Sequence, residues 1–323
     1  DGCLSGRNRM KQKLDDMIRT RIFDVAGHLF SVEMEENWQL WQHLTNYEPF
    51  ELALKGEDEA ERLQTVFRLQ IVCMPDENWP SAQKQVAEFD DDGSYICLYE
   101  SGAEELRFGM SDTRVNRDRQ SGLELNLTTG EAVLFLHPAV GRREAVFAVN
   151  NALMLLYAVC TARKNTLLMH ASVTVCEGKG YVFLGRSGTG KSTHSRLWLS
   201  AIEGTELLND DNPVIRTLPE GVYVYGTPWS GKTPCYRNCK AALGAIVRLS
   251  QAPFNRIERL KGVAAYAAVS PSASAMKWRR EYADGLHRTL VDLVGRCGVY
   301  HLQCLPDKEA ALLCHDTVGR NAE

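Results

Sequence analysis

The stretch YVFLGRSGTGKS, residues 181–192, constrains the fold more than any other part of the chain. It joins an apolar, strand-like run to a glycine turn that fits the phosphate-loop pattern G-x-x-x-x-G-K-[ST] at residues 185–192. The run Lys191–Ile202 that follows holds neither Pro nor Gly and reads as a helix. Such a turn holds an anion only when a strand delivers the chain into it and a helix begins beneath it, because the turn's N–H groups and the positive helix end act together. All three parts stand in order here. Gly185, Gly188 and Gly190 permit close backbone approach, and Ser187, Thr189 and Thr193 complete the nucleotide-contacting set. Lys191 is placed to reach the β- and γ-phosphates, and Ser192 to hold magnesium.

A second stretch, GTPWSGKT at 226–233, satisfies the same pattern. Pro228 removes an N–H from inside this loop, Trp229 adds bulk where a phosphate would sit, and Pro234 follows at once. A phosphate loop also needs an acid from a neighbouring strand to complete a metal shell. After the first loop, TELLNDD supplies Asp210 and Asp211; from Pro234 through Ile257 there is no Asp or Glu. The chain therefore reads as having one nucleotide site, at 185–192. The second loop reads either as a structural turn or as a flap over the γ-phosphate or acceptor, with Lys232 and Arg237 as cations and Trp229 as an apolar lid.

Two adjacent carboxylates beside bound phosphate divide their work. If Asp211 coordinates magnesium it stays ionised, and Asp210, repelled by that charge, has a raised pKa suited to taking a hydroxyl proton. His170, closing the run LLMH on the strand expected beside YVFLG, either points at the same centre or is structural. His194 faces solvent or packs on Trp198.

With 323 residues, the chain exceeds one hydrophobic core, and about 150 residues per domain suggests two. The division expected is 1–145 and 146–323. The first part is strand-like from Ile22 to about Leu136 and reads as an antiparallel meander, interrupted by NWQLWQHLTNYEPFELAL, whose Trp38, Trp41 and Tyr47 fill the core or line a groove. The second part alternates strands and helices, the order of an α/β domain. The segment AVFAVNNALMLLYAVCTARKN between them reads as a buried helix; its longest uncharged run contains Asn150 and Asn151 and falls short of a membrane span. No membrane partner is expected. A net charge of −4 argues against nucleic acid as the main partner. Ten cysteines scattered singly suit a reducing cytoplasm, and nothing in the N-terminal residues indicates export. Cys235 and Cys239 form C-x₃-C without a second pair at zinc spacing.

The order of MHASVTVCEGKGYVFLGRSGTGKSTHS and then NDD resembles the shared nucleotide-binding core of HPr kinase/phosphorylases and ATP-dependent phosphoenolpyruvate carboxykinases, over roughly residues 165–250. The resemblance implies an α/β fold with a mixed sheet for the P-loop domain, beside a smaller β-rich N-terminal domain. It implies ATP with magnesium (Mg2+) or manganese (Mn2+), Lys191 and Ser192 as phosphate and metal contacts, and Asp211 as metal ligand. It makes Asp210 the base of a kinase, with His170 orienting that base, or His170 a metal ligand in the carboxykinase case. GTPWSGKTPCYRN stands where HPr kinases carry a glycine-rich signature, and the chain is short for a carboxykinase. The function expected is phosphoryl transfer to a hydroxyl of a small molecule, peptide or protein. The N-terminal half would select that acceptor or mediate assembly into a homo-oligomer. Nucleotide sensing without turnover and carboxykinase chemistry are the alternatives.

Overall fold

A computed structural model describes residues 18–35, 38–53, 63–74, 84–91, 94–231, 233–274, 276 and 278–319. The chain divides into two compact units, Asp1–Cys160 and Thr161–Glu323. Both are built on mixed sheets, so the protein is a mixed α/β structure.

The first unit carries β1 (Ile18–Val25), β2 (His28–Glu35), β3 (Phe67–Cys73), β4 (Gln85–Asp91), β5 (Ser94–Tyr99), β6 (Glu105–Ser111), β7 (Ser121–Asn126) and β8 (Glu131–Leu136), in the spatial order β1-β2-β3-β8-β7-β6-β5-β4. From β4 to β8 the strands follow one another antiparallel, as a meander should. The pairs β2–β3 and β3–β8 are parallel instead, because β3 inserts between strands far from it in sequence. The β1–β2 hairpin turns on Ala26 and Gly27, both left-handed at φ 55° and 76°. Trp41 and Tyr47 are buried, which makes them core side chains, and Arg21 lies over the Trp41 ring.

Helix α1 (Arg142–Thr161) completes this unit. It is long and apolar enough to cross a membrane by length and composition, but half of its apolar window is buried within the protein. Asn150 accepts hydrogen bonds from Asn46 Nδ2 and the Tyr47 hydroxyl, and the Tyr157 hydroxyl donates to the Val25 carbonyl. Contacts group α1 with the β-rich unit, whereas the boundary expected after residue 145 placed it with the second.

The second unit contains β9 (Thr166–Leu168), β10 (Ala171–Cys176), β11 (Lys179–Leu184), α2 (Lys191–Ala201), β12 (Glu206–Asp211), β13 (Val214–Leu218), β14 (Gly221–Tyr225), β15 (Lys240–Gln251), β16 (Arg256–Leu260), α3 (Gly262–Val269), α4 (Arg280–Arg296), β17 (Gly298–Cys304) and α5 (Lys308–Gly319). Sheet order is β12-β10-β11-β15-β14-β13-β9, with β17 pairing β15 and β16 pairing β17. Among the described residues of this unit, only β11–β15 and β15–β17 run parallel. Strand alternation separates two cores. Val182 and Leu184 face a cluster that includes Ala265, Val269, Leu286 and Leu290 of α3 and α4. Tyr181 and Phe183 face Trp198 of α2 and Ala311 and Cys314 of α5.

Two breaks in the strands make the site. β9 and β10 are separated by Met169 and His170, and β12 and β13 by Asn212 and Pro213. Since β10 pairs β12 and β9 pairs β13, both breaks fall at one level of the sheet. The Met169 amide donates to the Pro213 carbonyl, which brings His170, Asp211 and Asn212 together.

Candidate functional site

β11 carries Leu184 into the glycine turn, where the Thr189 amide donates back to the Arg186 carbonyl at 3.1 Å. Gly188 and Gly190 are left-handed, at φ 77° and 107°, and a Cβ added to either would meet nothing within 4 Å. Backbone conformation, not crowding, is therefore what requires glycine there. Gly185 differs, because a Cβ on it would press on the Thr189 side chain. α2 starts at Lys191 with no side-chain cap and no acid in its first turn. Its first N–H groups and the positive end of its dipole are left for an anion.

The inner face of α2 is anchored. Ser195 Oγ lies 2.6 Å from Ser172 Oγ on β10. His194 is buried and its Nε2 accepts from the Trp198 indole at 3.1 Å, so it packs on Trp198 and does not face solvent. Burial pushes its pKa down to about 4 and keeps the ring neutral.

Lys191 Nζ donates to the Gly185 carbonyl at 3.1 Å and lies 2.9 Å from His170 Nε2. Burial lowers the lysine pKa, against the raising influence of Asp211 and Asp210. An ammonium on Nε2 leaves the imidazole proton on Nδ1, which is 3.4 Å from Asp211 Oδ1. Asp211 Oδ2 accepts from Asn212 Nδ2 at 2.8 Å. Burial raises the Asp211 pKa, while His170 and Lys191 lower it and Asp210 raises it.

Asp210 points the other way. In the β10–β12 register Asp210 pairs with Ser172 and Asp211 with Ala171. Directly paired residues share a face of the sheet, and Ser172 bonds to α2, so Asp210 lies on the α2 face and Asp211 on the opposite one. Asp210 is 5% exposed, and its Oδ1 is buried without a hydrogen-bond partner.

Asn209 and Thr227 were not singled out from the sequence. Asn209 is fully buried; its Oδ1 accepts from the amides of Asp211 and Asn212, an Asx turn that sets the backbone of the acid pair. Its Nδ2 donates to Thr227 Oγ1 and the Trp229 carbonyl, both at 3.1 Å. The one available signal was an Asn preceding Asp-Asp-Asn-Pro, a turn-prone run.

The second glycine loop runs along β12, an edge strand in the sheet order. The Gly231 amide donates to the Asp210 carbonyl, and a Cβ on Gly231 would come within 2.7 Å of that oxygen. A Cβ on Gly226 would collide with the Arg237 carbonyl. The glycines of this loop thus serve close approach of two backbones and cover an exposed strand edge. Trp229 is 5% exposed, a buried side chain and not a lid. Arg237 is bound to the Leu207 carbonyl and to Glu206, at the end of β12 remote from the acid pair. Lys232 lies outside the described residues.

Beside the glycine turn opens a cleft of about 580 Å³ whose walls include Thr193, Leu197, Leu249, Ala252 and Pro306. Among the described residues no group of three or more His, Cys, Asp or Glu side chains converges as a metal cage. Magnesium does not require one, since it is usually held by one or two carboxylates together with substrate phosphates. The Ser192 hydroxyl and the orphaned Asp210 oxygen are hard donors that fit this ion.

No protein-family model matches the chain, and no curated protein matches it. A solved structure of the HPr(Ser) kinase/phosphatase from Coxiella burnetii is similar over 48% of this chain and 94% of that chain, at 14% identity and a TM-score of 0.27. A likeness of that degree carries no functional argument.

Proposed function

We propose that this protein is an ATP- and magnesium-dependent phosphotransferase of the HPr kinase-like type, acting on a hydroxyl of a small molecule, peptide or protein. One observation carries the reading: a glycine turn opening an uncapped helix stands beside a Lys191–His170–Asp211 chain and a buried Asp210 oxygen that has no partner. Lys191 and the first N–H groups of α2 would hold the β- and γ-phosphates. The apolar wall around Leu197 and Leu249 would take the nucleoside.

Ser192 and Asp210 would hold magnesium, since Ser192 and Ser195 are neighbours on α2 and Asp210 faces that helix. When bound, the ion supplies positive charge to the phosphate oxygens. Asp211, across the strand and oriented by His170, would take the hydroxyl proton as the acceptor oxygen bonds to the γ-phosphorus and the bond to the β-phosphate oxygen breaks. These roles reverse those read from the sequence, and the register of β12 is the reason. The described cysteines are all free, in keeping with a cytoplasmic setting.

The test is incubation of the protein with labelled ATP and fractionated cell extract. Transfer of label to one fraction, lost in Asp211→Asn, supports the proposal. Equal silence of both proteins across all fractions, while both still bind ATP, would replace it with nucleotide sensing.

A further inference from the structure

Lys179 begins β11, at the end of the strand remote from the glycine turn, and there it borders a second cleft of about 510 Å³. Four lining residues are cations, Lys179, Arg259, Lys261 and Arg296, and no lining residue is an acid. They come from β11, β16, the N-cap of α3 and the end of α4, so the fold gathers them from separate segments. In a chain of net charge −4 this is a local concentration of positive charge.

Two acids close to these cations in sequence are ion-paired. Glu258, beside Arg259 on β16, does not line the cleft, and its carboxylate meets Arg256 and His301. Asp292 is bound to Arg296, whose guanidinium also donates to the Leu218 carbonyl. Arg296 is thus a fixed wall. Arg259 and Lys261 are exposed and form no ion pair among the described residues.

The cleft is also kept open. Gly295 lies near the end of α4, and a Cβ there would meet nothing within 4 Å. Packing does not require this glycine, and helix propensity disfavours it. α3 begins beside the cleft with neither a side-chain cap nor an acid in its first turn, so its N–H groups add donors to the cations. Leu243, Leu260 and Val294 supply an apolar wall for a carbon skeleton.

We infer that this cleft is a second anion-binding site, which takes a small molecule bearing clustered phosphate oxygens and is separate from the phosphate loop. The inference does not depend on the proposed phosphotransfer. Calorimetric titration of the Lys191→Ala protein with pyrophosphate tests it, because that variant lacks the ammonium of the phosphate loop. One saturable site should remain and weaken with added salt. Arg259→Ala or Lys261→Ala in that background should each weaken it about tenfold, the effect of losing one charge-assisted hydrogen bond. Gly295→Glu, which puts a carboxylate into the open space, should abolish it; unchanged melting temperatures check that the variants fold. Absence of saturable pyrophosphate binding in Lys191→Ala, or binding undiminished when Arg259 and Lys261 are both alanine, overturns the assignment.

Discussion

Lys191 Nζ lies 2.9 Å from His170 Nε2, and His170 Nδ1 lies 3.4 Å from Asp211 Oδ1, so one imidazole joins the lysine of the glycine turn to the acid pair. The ring's tautomer follows from the lysine, and its orientation follows from the strand break that sets His170 between β9 and β10. In the proposed phosphotransfer His170 would act as a positioning residue. His170→Asn should lower kcat for phosphoryl transfer by about 10- to 100-fold, at or below the usual range of a single acid–base contribution. The dissociation constant for ATP should change by less than about threefold. Single-turnover rates beside equilibrium binding separate the two, and a loss confined to binding would refute the positioning role.

The opposite faces of Asp210 and Asp211 predict a split between two conservative variants. Asp210→Asn should weaken ATP binding in magnesium but leave the weaker binding measured in excess EDTA unchanged. Asp211→Asn should bind ATP with magnesium normally and lose transfer by about 100-fold or more. The reverse pattern would restore the assignment of metal ligand and base read from the sequence.

Occupancy of the glycine turn should be visible as stability. At a ligand concentration of about 100 Kd, binding adds about 2.7 kcal/mol, which raises the melting temperature by several degrees. Lys191→Ala should abolish that shift, while Arg237→Ala, at the far end of β12, should keep it. Differential scanning fluorimetry with ATP and magnesium reads both.

The two glycine loops show what was legible in the sequence. The strand–turn–helix order of the first was legible because its parts follow each other along the chain. Pro228 and Trp229 set the second apart from the first in the sequence, but its place in the fold could not be assigned. That place depends on Gly226 and Gly231 meeting Arg237 and Asp210, contacts that no residue pattern encodes. Asn209 and Thr227 were hidden for the same reason, since an Asn that holds a turn looks like any Asn before a proline. Alternation exposed the strands of the first unit but not the insertion of β3 beside β8, because pairing partners distant in sequence leave no local periodicity. That the two acids lie on opposite faces needed the register with β10, which one strand alone cannot supply.

If the second loop is an edge cover, its glycines should answer to stability and those of the first loop to binding. Gly226→Ala forces a Cβ against the Arg237 carbonyl and should destabilise the protein by about 2–4 kcal/mol. Gly188→Ala meets no neighbour, so it should cost only about 1 kcal/mol from its left-handed backbone and yet impair ATP binding. Urea titrations of the two variants beside their ATP affinities make the comparison.

Burial also predicts a response to alkali. The Cys297 thiol, at the junction of α4 and β17, is pushed up from 9.0 to about 12, chiefly by desolvation. In the unfolded chain the thiol ionises near its ordinary value, so between these limits the unfolded state binds fewer protons than the folded state. The stabilisation attached to this group is complete below pH 9 and is lost as pH rises towards 12. By pH 10 the loss should be about 1 kcal/mol. Cys297→Ala would carry a constant cost from the lost sulfur but no ionisation of its own. The stability difference between wild type and Cys297→Ala, measured by urea unfolding at pH 8 and pH 10, should therefore narrow by about 1 kcal/mol. A difference that stays constant would mean that the thiol ionises as readily in the folded protein as in the unfolded chain.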